Sequence, residues 1–237
     1  MEYSEIKELI ENQGLNISNQ NWNVEISYSK MNPERKRCEI EKIIELQNEY
    51  KTNSVFIYIH KKESDSTESI ELNGIDGAFF LHKSTESEQS QSVKLNENNL
   101  ILSLGFTILS LNLNKSEIDW ILRPDIAEIF EFYDLEGDIL LRGECQIHRI
   151  DKNGELKWSF GGRDIWVNLK GKSEVNIEEN KIRLFDFESN EYLINFDGEI
   201  LEDKPKVINT KKPTLFRNPK KWFSQKIWKR IAKVEKE

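Results

Sequence analysis

An apolar residue, a polar turn and a second apolar residue recur four times between residues 75 and 200. The copies are I-D-G-A-F (Ile75 to Phe79), L-N-K-S-E-I (Leu113 to Ile118), I-D-K-N-G-E-L (Ile150 to Leu156) and F-D-G-E-I (Phe196 to Ile200). Counted at Phe79, Ile118, Leu156 and Ile200, the spacings are 39, 38 and 44 residues. A period near forty with a hairpin in each unit predicts successive four-stranded antiparallel sheets, each burying its faces against its neighbours. The 237-residue chain can bury roughly 70 to 75 % of its unfolded surface, so it needs no covalent or metal staple. Alanine occurs only at Ala78, Ala127 and Ala232, which argues against a helical bundle.

The pattern is sharpest in the second half. E-I-D-W-I-L-R-P-D-I (Glu117 to Ile126) aligns with E-L-K-W-S-F-G-G-R-D-I (Glu155 to Ile165), which sets Trp120 over Trp158 and, after one inserted residue, Asp125 over Asp164. The third unit divides into strands I-F-E-F-Y, I-L-L-R, Q-I-H-R-I and E-L-K-W. The fourth divides into I-W-V-N-L, I-R-L-F-D-F, Y-L-I-N-F and E-I-L. Leu100 to Leu113, the most apolar stretch, is too short to span a bilayer and reads as two buried strands split at Ser103 and Gly105.

The run I-x-x-I-D-x-N-G-E-L-K-W (Ile147 to Trp158) resembles the repeat of the PQQ-type quinoprotein β-propellers, and Gly105 to Ile200 also resembles a group of uncharacterised bacterial proteins of similar size. The resemblance implies blades. It does not imply the cofactor, because the chain lacks the adjacent cysteine pair under which such proteins hold the quinone; no cofactor is expected. The fold class is therefore mainly β: a small or incomplete propeller-like series of four-stranded units with flanking α-helices at both ends. A packed antiparallel β-sandwich within an α+β fold is the alternative.

Three parts are expected along the chain. Residues 1–53 form a helical and mixed lobe. One helix is capped by Ser4 and stopped at Gly14; another opens at Asn32-Pro33-Glu34 and turns Ile40, Ile43, Ile44 and Tyr50 to a core. Residues 54–203 hold the β-repeats. Residues 204–237 form a basic linker and an amphipathic C-terminal helix capped at Asn218. Of the net charge of −8, +10 lies from Lys204 onward, leaving −18 on residues 1–203. An acidic body disfavours nucleic acid and favours a basic partner.

The chemistry-bearing residues are few. His60, His82 and His148 have no second ligand at metal spacing, Cys38 and Cys145 are isolated, and no nucleophile-elbow, P-loop or dinucleotide motif is present. D-L-E-G-D (Asp134 to Asp138) and D-K-N-G-E (Asp151 to Glu155) carry oxygen ligands, but they also have the composition that a hairpin turn requires; no metal site is expected. Arg123, Asp125, Arg163 and Asp164 follow the Trp strands and are the candidates for a ligand-facing rim, with ion pairing or turn capping as the alternative. In the tail, Trp222, Lys226, Trp228, Lys229, Arg230 and Lys233 are candidate contacts to a protein partner or an anionic membrane surface, unless that helix docks on its own body.

No apolar leader is seen at the N-terminus, so a cytoplasmic protein is expected. The function expected from these features is that of a non-enzymatic protein-binding scaffold, for example an immunity-type protein masking a basic partner. The alternative is a hydrolase-like enzyme acting on a small ligand in the channel of the repeats, with Asp125, Asp164 and Arg163 at its mouth.

Overall fold

The structure, a computed structural model, describes residues 14–28, 40–46, 53–64, 67–86, 88–168 and 170–206. These residues contain 17 strands and no helix. The chain divides into two units, Met1–Pro205 and Lys206–Glu237. Nearly all of the second unit lies outside the described residues, as do the helix expected from Ser4 and the six tail residues from Trp222 to Lys233.

Strands β1 (Leu15–Ser18), β2 (Trp22–Ser27), β3 (Ile40–Glu45), β4 (Asn53–Lys61) and β5 (Thr67–Ile75) form a five-stranded sheet in the order β1-β2-β4-β5-β3. Residues on both sides of position 53 thus share one sheet. The helix expected over Ile40 to Ile44 is not formed: I-E-K-I-I-E pairs in parallel with β5 along its whole length. Spacing at i, i+3 and i+4 suits a helix, but here the backbone bonds to β5 decide, and Ile43 is left 62 % exposed rather than buried.

Three four-stranded meanders follow, each antiparallel and in chain order. The second sheet holds β6 (Val93–Asn96), β7 (Asn99–Leu104), β8 (Thr107–Asn112) and β9 (Glu117–Leu122). The third holds β10 (Ile129–Leu135), β11 (Asp138–Gly143), β12 (Gln146–Ile150) and β13 (Leu156–Gly161). The fourth holds β14 (Val175–Glu178), β15 (Lys181–Phe185), β16 (Glu191–Asn195) and β17 (Ile200–Lys204). The third sheet follows the strands read from the sequence. In the fourth, I-W-V-N-L is not the first strand: Trp166 is an irregular, fully buried core residue, and V-N-I-E takes the edge position. The first copy of the repeated phrase is also not a hairpin, because β5 ends at Ile75 and the described residues between 76 and 90 form no strand.

Alternation along each strand sends one set of side chains to each neighbouring sheet. Leu100, Leu102 and Leu104 of β7 join Ile57, Ile59 and Leu72 of the first sheet, whereas Ile101 turns to the third sheet and meets Ile129, Phe132 and Leu141. Leu140 and Ile147 of the third sheet pack with Trp166, Ile182, Leu184 and Ile194 beneath the fourth. The four sheets are therefore stacked face to face through three apolar interfaces.

At the second and third interfaces a tryptophan fastens one sheet to the last turn of the next. Trp120 in β9 donates from Nε1 to the Lys152 carbonyl at 3.0 Å, and Trp158 in β13 donates to the Phe196 carbonyl at 2.8 Å. Each indole rests on the turn glycine of the next sheet, Gly154 or Gly198, where an added Cβ would come within 2.6 and 2.8 Å of the ring. Both glycines have positive φ, 80° and 81°. Ser116 holds the same turn position in the second sheet. At the first interface the Trp22 indole of β2 reaches a different turn, donating to Asn98 Oδ1 between β6 and β7 at 3.0 Å; at Ser116, Glu68 of β5 accepts from the hydroxyl at 2.6 Å while Lys42 of β3 donates to the carbonyl at 2.7 Å. In the last sheet Glu202 stands four residues after Gly198, where the earlier sheets carry Trp, and it pairs with Lys204.

Candidate functional site

The four rim candidates do not converge; each is used within the fold. The Arg123 guanidinium lies 4.5 Å over the Phe106 ring and 3.2 Å from Asp76. Arg163 makes a two-pronged pair with Asp203 at 2.6 and 2.5 Å and lies over the Tyr192 ring. That pair and the Tyr192 hydroxyl hold its guanidinium well above the usual arginine range. Asp164 accepts the Ile165 amide at 2.9 Å. Asp125 is buried and accepts the amides of Ile126 (2.7 Å), Ala127 (3.4 Å), Cys145 (3.2 Å) and Gln146 (2.9 Å), which ties the loop before β10 to the start of β12. Turn capping and ion pairing, the alternative for these residues, is what the geometry displays.

Asp125 has a second neighbour that sequence reasoning passed over. His148 of β12 is fully buried, with Nδ1 2.8 Å from the Ser159 hydroxyl and Nε2 3.7 Å from Asp125 Oδ2, beyond hydrogen-bonding reach. Burial pushes this imidazole below its ordinary value; the Asp125 carboxylate offsets only part of that. The order serine, histidine, aspartate is that of a hydrolytic relay, yet Ser159 borders none of the three clefts described for the body. Two of these clefts lie elsewhere: one is lined from Lys94, Asp119, Trp120 and Asp134, the other from β1, β2 and β4.

The remaining cleft has a built polar floor. It encloses about 790 Å³ and is lined by Glu86 and residues 88–90, by Glu131 and Tyr133 of β10, by Arg142 of β11, and by Asn168 and residues 171–177, which include the edge of β14. Glu131 and Arg142 face one another across the β10–β11 pair and bond at 2.7 Å, both mostly buried. The Tyr133 hydroxyl donates to Glu131 at 2.5 Å, and Arg142 also donates to the Trp166 carbonyl at 2.8 Å. Burial favours the neutral Glu131 acid, but the Arg142 guanidinium and the Tyr133 hydroxyl outweigh it and hold the carboxyl below its usual range. Burial and the Glu131 charge together push the Tyr133 phenol far up. With Arg142 neutralised by Glu131, the lining that remains is Glu86, Glu88 and Glu174 against Lys172, whose ammonium lies 4.3 Å over the Phe185 ring. Glu86 and Glu88 are exposed.

Other carboxylates also have structural partners. Asp151 accepts the amides of Asn153 (2.8 Å) and Glu155 (2.9 Å); Asp138 meets Arg149 at 2.6 Å and Lys157 at 2.7 Å; Asp134 meets Lys94 at 2.5 Å. Among the described residues no group of three or more His, Cys, Asp or Glu side chains is placed to share a metal ion. The Glu131–Tyr133–Arg142 cluster was readable in part, since the Glu136-Gly137 turn sets Glu131 near Arg142 across the hairpin. The register shift between Ile129 and Glu131, which sets which face Glu131 takes, has no sequence signal.

No family model matches the chain, and no curated protein matches it. Among the solved structures that are similar at the level of the backbone are the following three. The WD40 β-propeller domain of Doa1 shares 10 % identity over 81 % of this chain and 53 % of that one, with a TM-score of 0.41. A chain of the mitotic checkpoint complex shares 14 % over 64 % and 46 %, at 0.39. BamB from Moraxella catarrhalis shares 12 % over 82 % and 61 %, at 0.39. The chain spans between about half and three-fifths of those chains' own lengths. The architecture stated here, four-stranded antiparallel sheets succeeding one another face to face, rests on the strand pairing itself.

Proposed function

We propose that this chain is a non-enzymatic protein-binding scaffold whose acidic cleft at β10 and β14 receives a basic segment of a partner. The observation that carries the reading is the 790 Å³ cleft at β10 and β14, where Arg142 is spent on Glu131 and exposed Glu86 and Glu88 are left to meet a cation. The −18 carried by residues 1–203 adds long-range attraction for such a partner and accelerates encounter at low salt. Masking of a basic enzyme, as an immunity-type protein in the cytoplasm would do, is the specific form we propose. The buried, backbone-capping use of Asp125 favours a binder over the hydrolase alternative.

The test is binding of a lysine-rich peptide to the full chain at low and high salt, repeated with Glu86→Gln/Glu88→Gln. Affinity should fall steeply with salt and with the double substitution. Equal binding of a neutral peptide, or binding indifferent to both changes, would refute the proposal.

A further inference from the structure

We infer that the partner's segment enters this cleft as an added β-strand on the edge of β14 that no described strand covers. This inference rests on the reading just given and names its mode of recognition. The second, third and fourth sheets can be compared at one register position on the outward edge of their first strands, β6, β10 and β14. In an antiparallel pair closed by a two-residue turn, the residues flanking the turn bond to each other, and every second residue before them points its N–H and C=O away from the partner strand. Counting back three residues from the flanking residue, Asn96, Leu135 or Glu178, gives Val93 in β6, Phe132 in β10 and Val175 in β14.

The chain itself occupies the first two of these positions. The Val93 amide donates to the His82 carbonyl at 3.1 Å. Phe132 exchanges both bonds with Gln91, receiving from its amide at 3.0 Å and donating to its carbonyl at 2.7 Å, which is an isolated bridge of added strand. At the third, only the Ser173 hydroxyl reaches the Val175 carbonyl, at 2.8 Å. Among the described residues no backbone group pairs with the outward amide of Val175, or with the outward amide and carbonyl of Ile177. Both residues line the acidic cleft, beside Glu86 and Glu88. The segment that bridges to β10 therefore carries those carboxylates toward the one first-strand edge of the three to which no described residue pairs by its backbone.

Strand addition supplies main-chain bonds for affinity, and alternate side chains supply specificity. The occupant that fits is an extended partner segment with Lys or Arg at every second position, so that one face meets the glutamates while the intervening residues turn away. Side-chain face and amide direction alternate together in a strand. Only one parity of the partner's amides can then bond to β14.

The experiment uses the full chain and a short peptide alternating lysine and valine, with two copies N-methylated on the lysine amides or on the valine amides. One copy should lose about tenfold or more in affinity and the other should bind as the parent does, since each lost backbone bond weakens binding severalfold. Hydrogen exchange at the Ile177 amide should slow at least about tenfold when the parent peptide binds. If both copies bind like the parent, or both lose equally, or Ile177 is unprotected, strand addition is overturned; salt-sensitive binding that Glu86→Gln/Glu88→Gln still weakens would then leave the scaffold reading in place. If the parent peptide does not bind, or binds without regard to those substitutions, both proposals fall.

Discussion

Replacing Gly154 by alanine tests the fastening between sheets. The position has φ 80°, where a Cβ costs about 1–2 kcal/mol against the following carbonyl. The same Cβ would sit 2.6 Å from the Trp120 ring, so the indole has to move, at an overpacking cost of about 1–3 kcal/mol. Movement also breaks the Trp120 bond to the Lys152 carbonyl, worth about 1 kcal/mol. The total is about 3–6 kcal/mol, a large share of the stability of a domain of this size. Gly137 provides the control: it lies in the β10–β11 turn at φ 84°, with nothing within 4 Å of an added Cβ, so Gly137→Ala should cost only the backbone share. Urea unfolding of both variants, followed by circular dichroism with the slopes compared, reads the difference, expected at about 2 kcal/mol or more. Equal destabilisation within about 0.5 kcal/mol would mean that the indole is not held by the turn, and the proposed fastening would be wrong.

Three further outcomes are expected. The His148 imidazole has a folded value below its ordinary 6.5, so the unfolded chain takes up a proton that the folded one refuses; stability should be full above about pH 6.5 and fall as the pH drops, and His148→Gln should flatten that limb of the profile. Arg142→Met strands the Glu131 carboxylate in a mostly buried setting and should cost about 3 kcal/mol by urea unfolding, while adding Glu131→Gln should restore part of the loss; a double variant worse than the single would contradict the pairing. Calcium and EDTA should leave the melting temperature unchanged, because Asp151 is engaged by the turn amides of Asn153 and Glu155; a fall of several degrees on chelation, reversed by calcium, would show a metal loop there.

The repeated phrase located three hairpins and the aligned tryptophans, because positive-φ turns and large aromatic positions leave strong local marks at Gly154, Gly198, Trp120 and Trp158. It misplaced the first unit: Ile75 to Phe79 has the composition of a turn, but Phe79 stacks on Tyr28 at 5.5 Å instead of opening a strand. Ile40 to Ile44 shows why the N-terminal reading failed, since a short apolar run fits both periods and only the distant strand β5 decides between them. The second apolar residue of each phrase is not uniformly a core residue either, with Leu156 49 % and Ile200 57 % exposed on outer strands. The site was less legible still. Arg123 and Arg163 stand out in sequence because they repeat, and repetition reflects packing. The unmatched edge of β14 is a statement about what three sheets do not share, and no single residue announces it.

The two indole bonds join residues only 32 and 38 positions apart, whereas the Lys42 bond to Ser116 spans 74. A chain emerging from the ribosome can thus seal the third sheet to the second as soon as its own last hairpin is made, and the fourth to the third one unit later. The first sheet, with its parallel β3 and long closures, has no such local route. Loop-closure entropy makes distant pairings the slow ones, so the slowest folding phase should belong to the N-terminal sheet even though it is synthesised first.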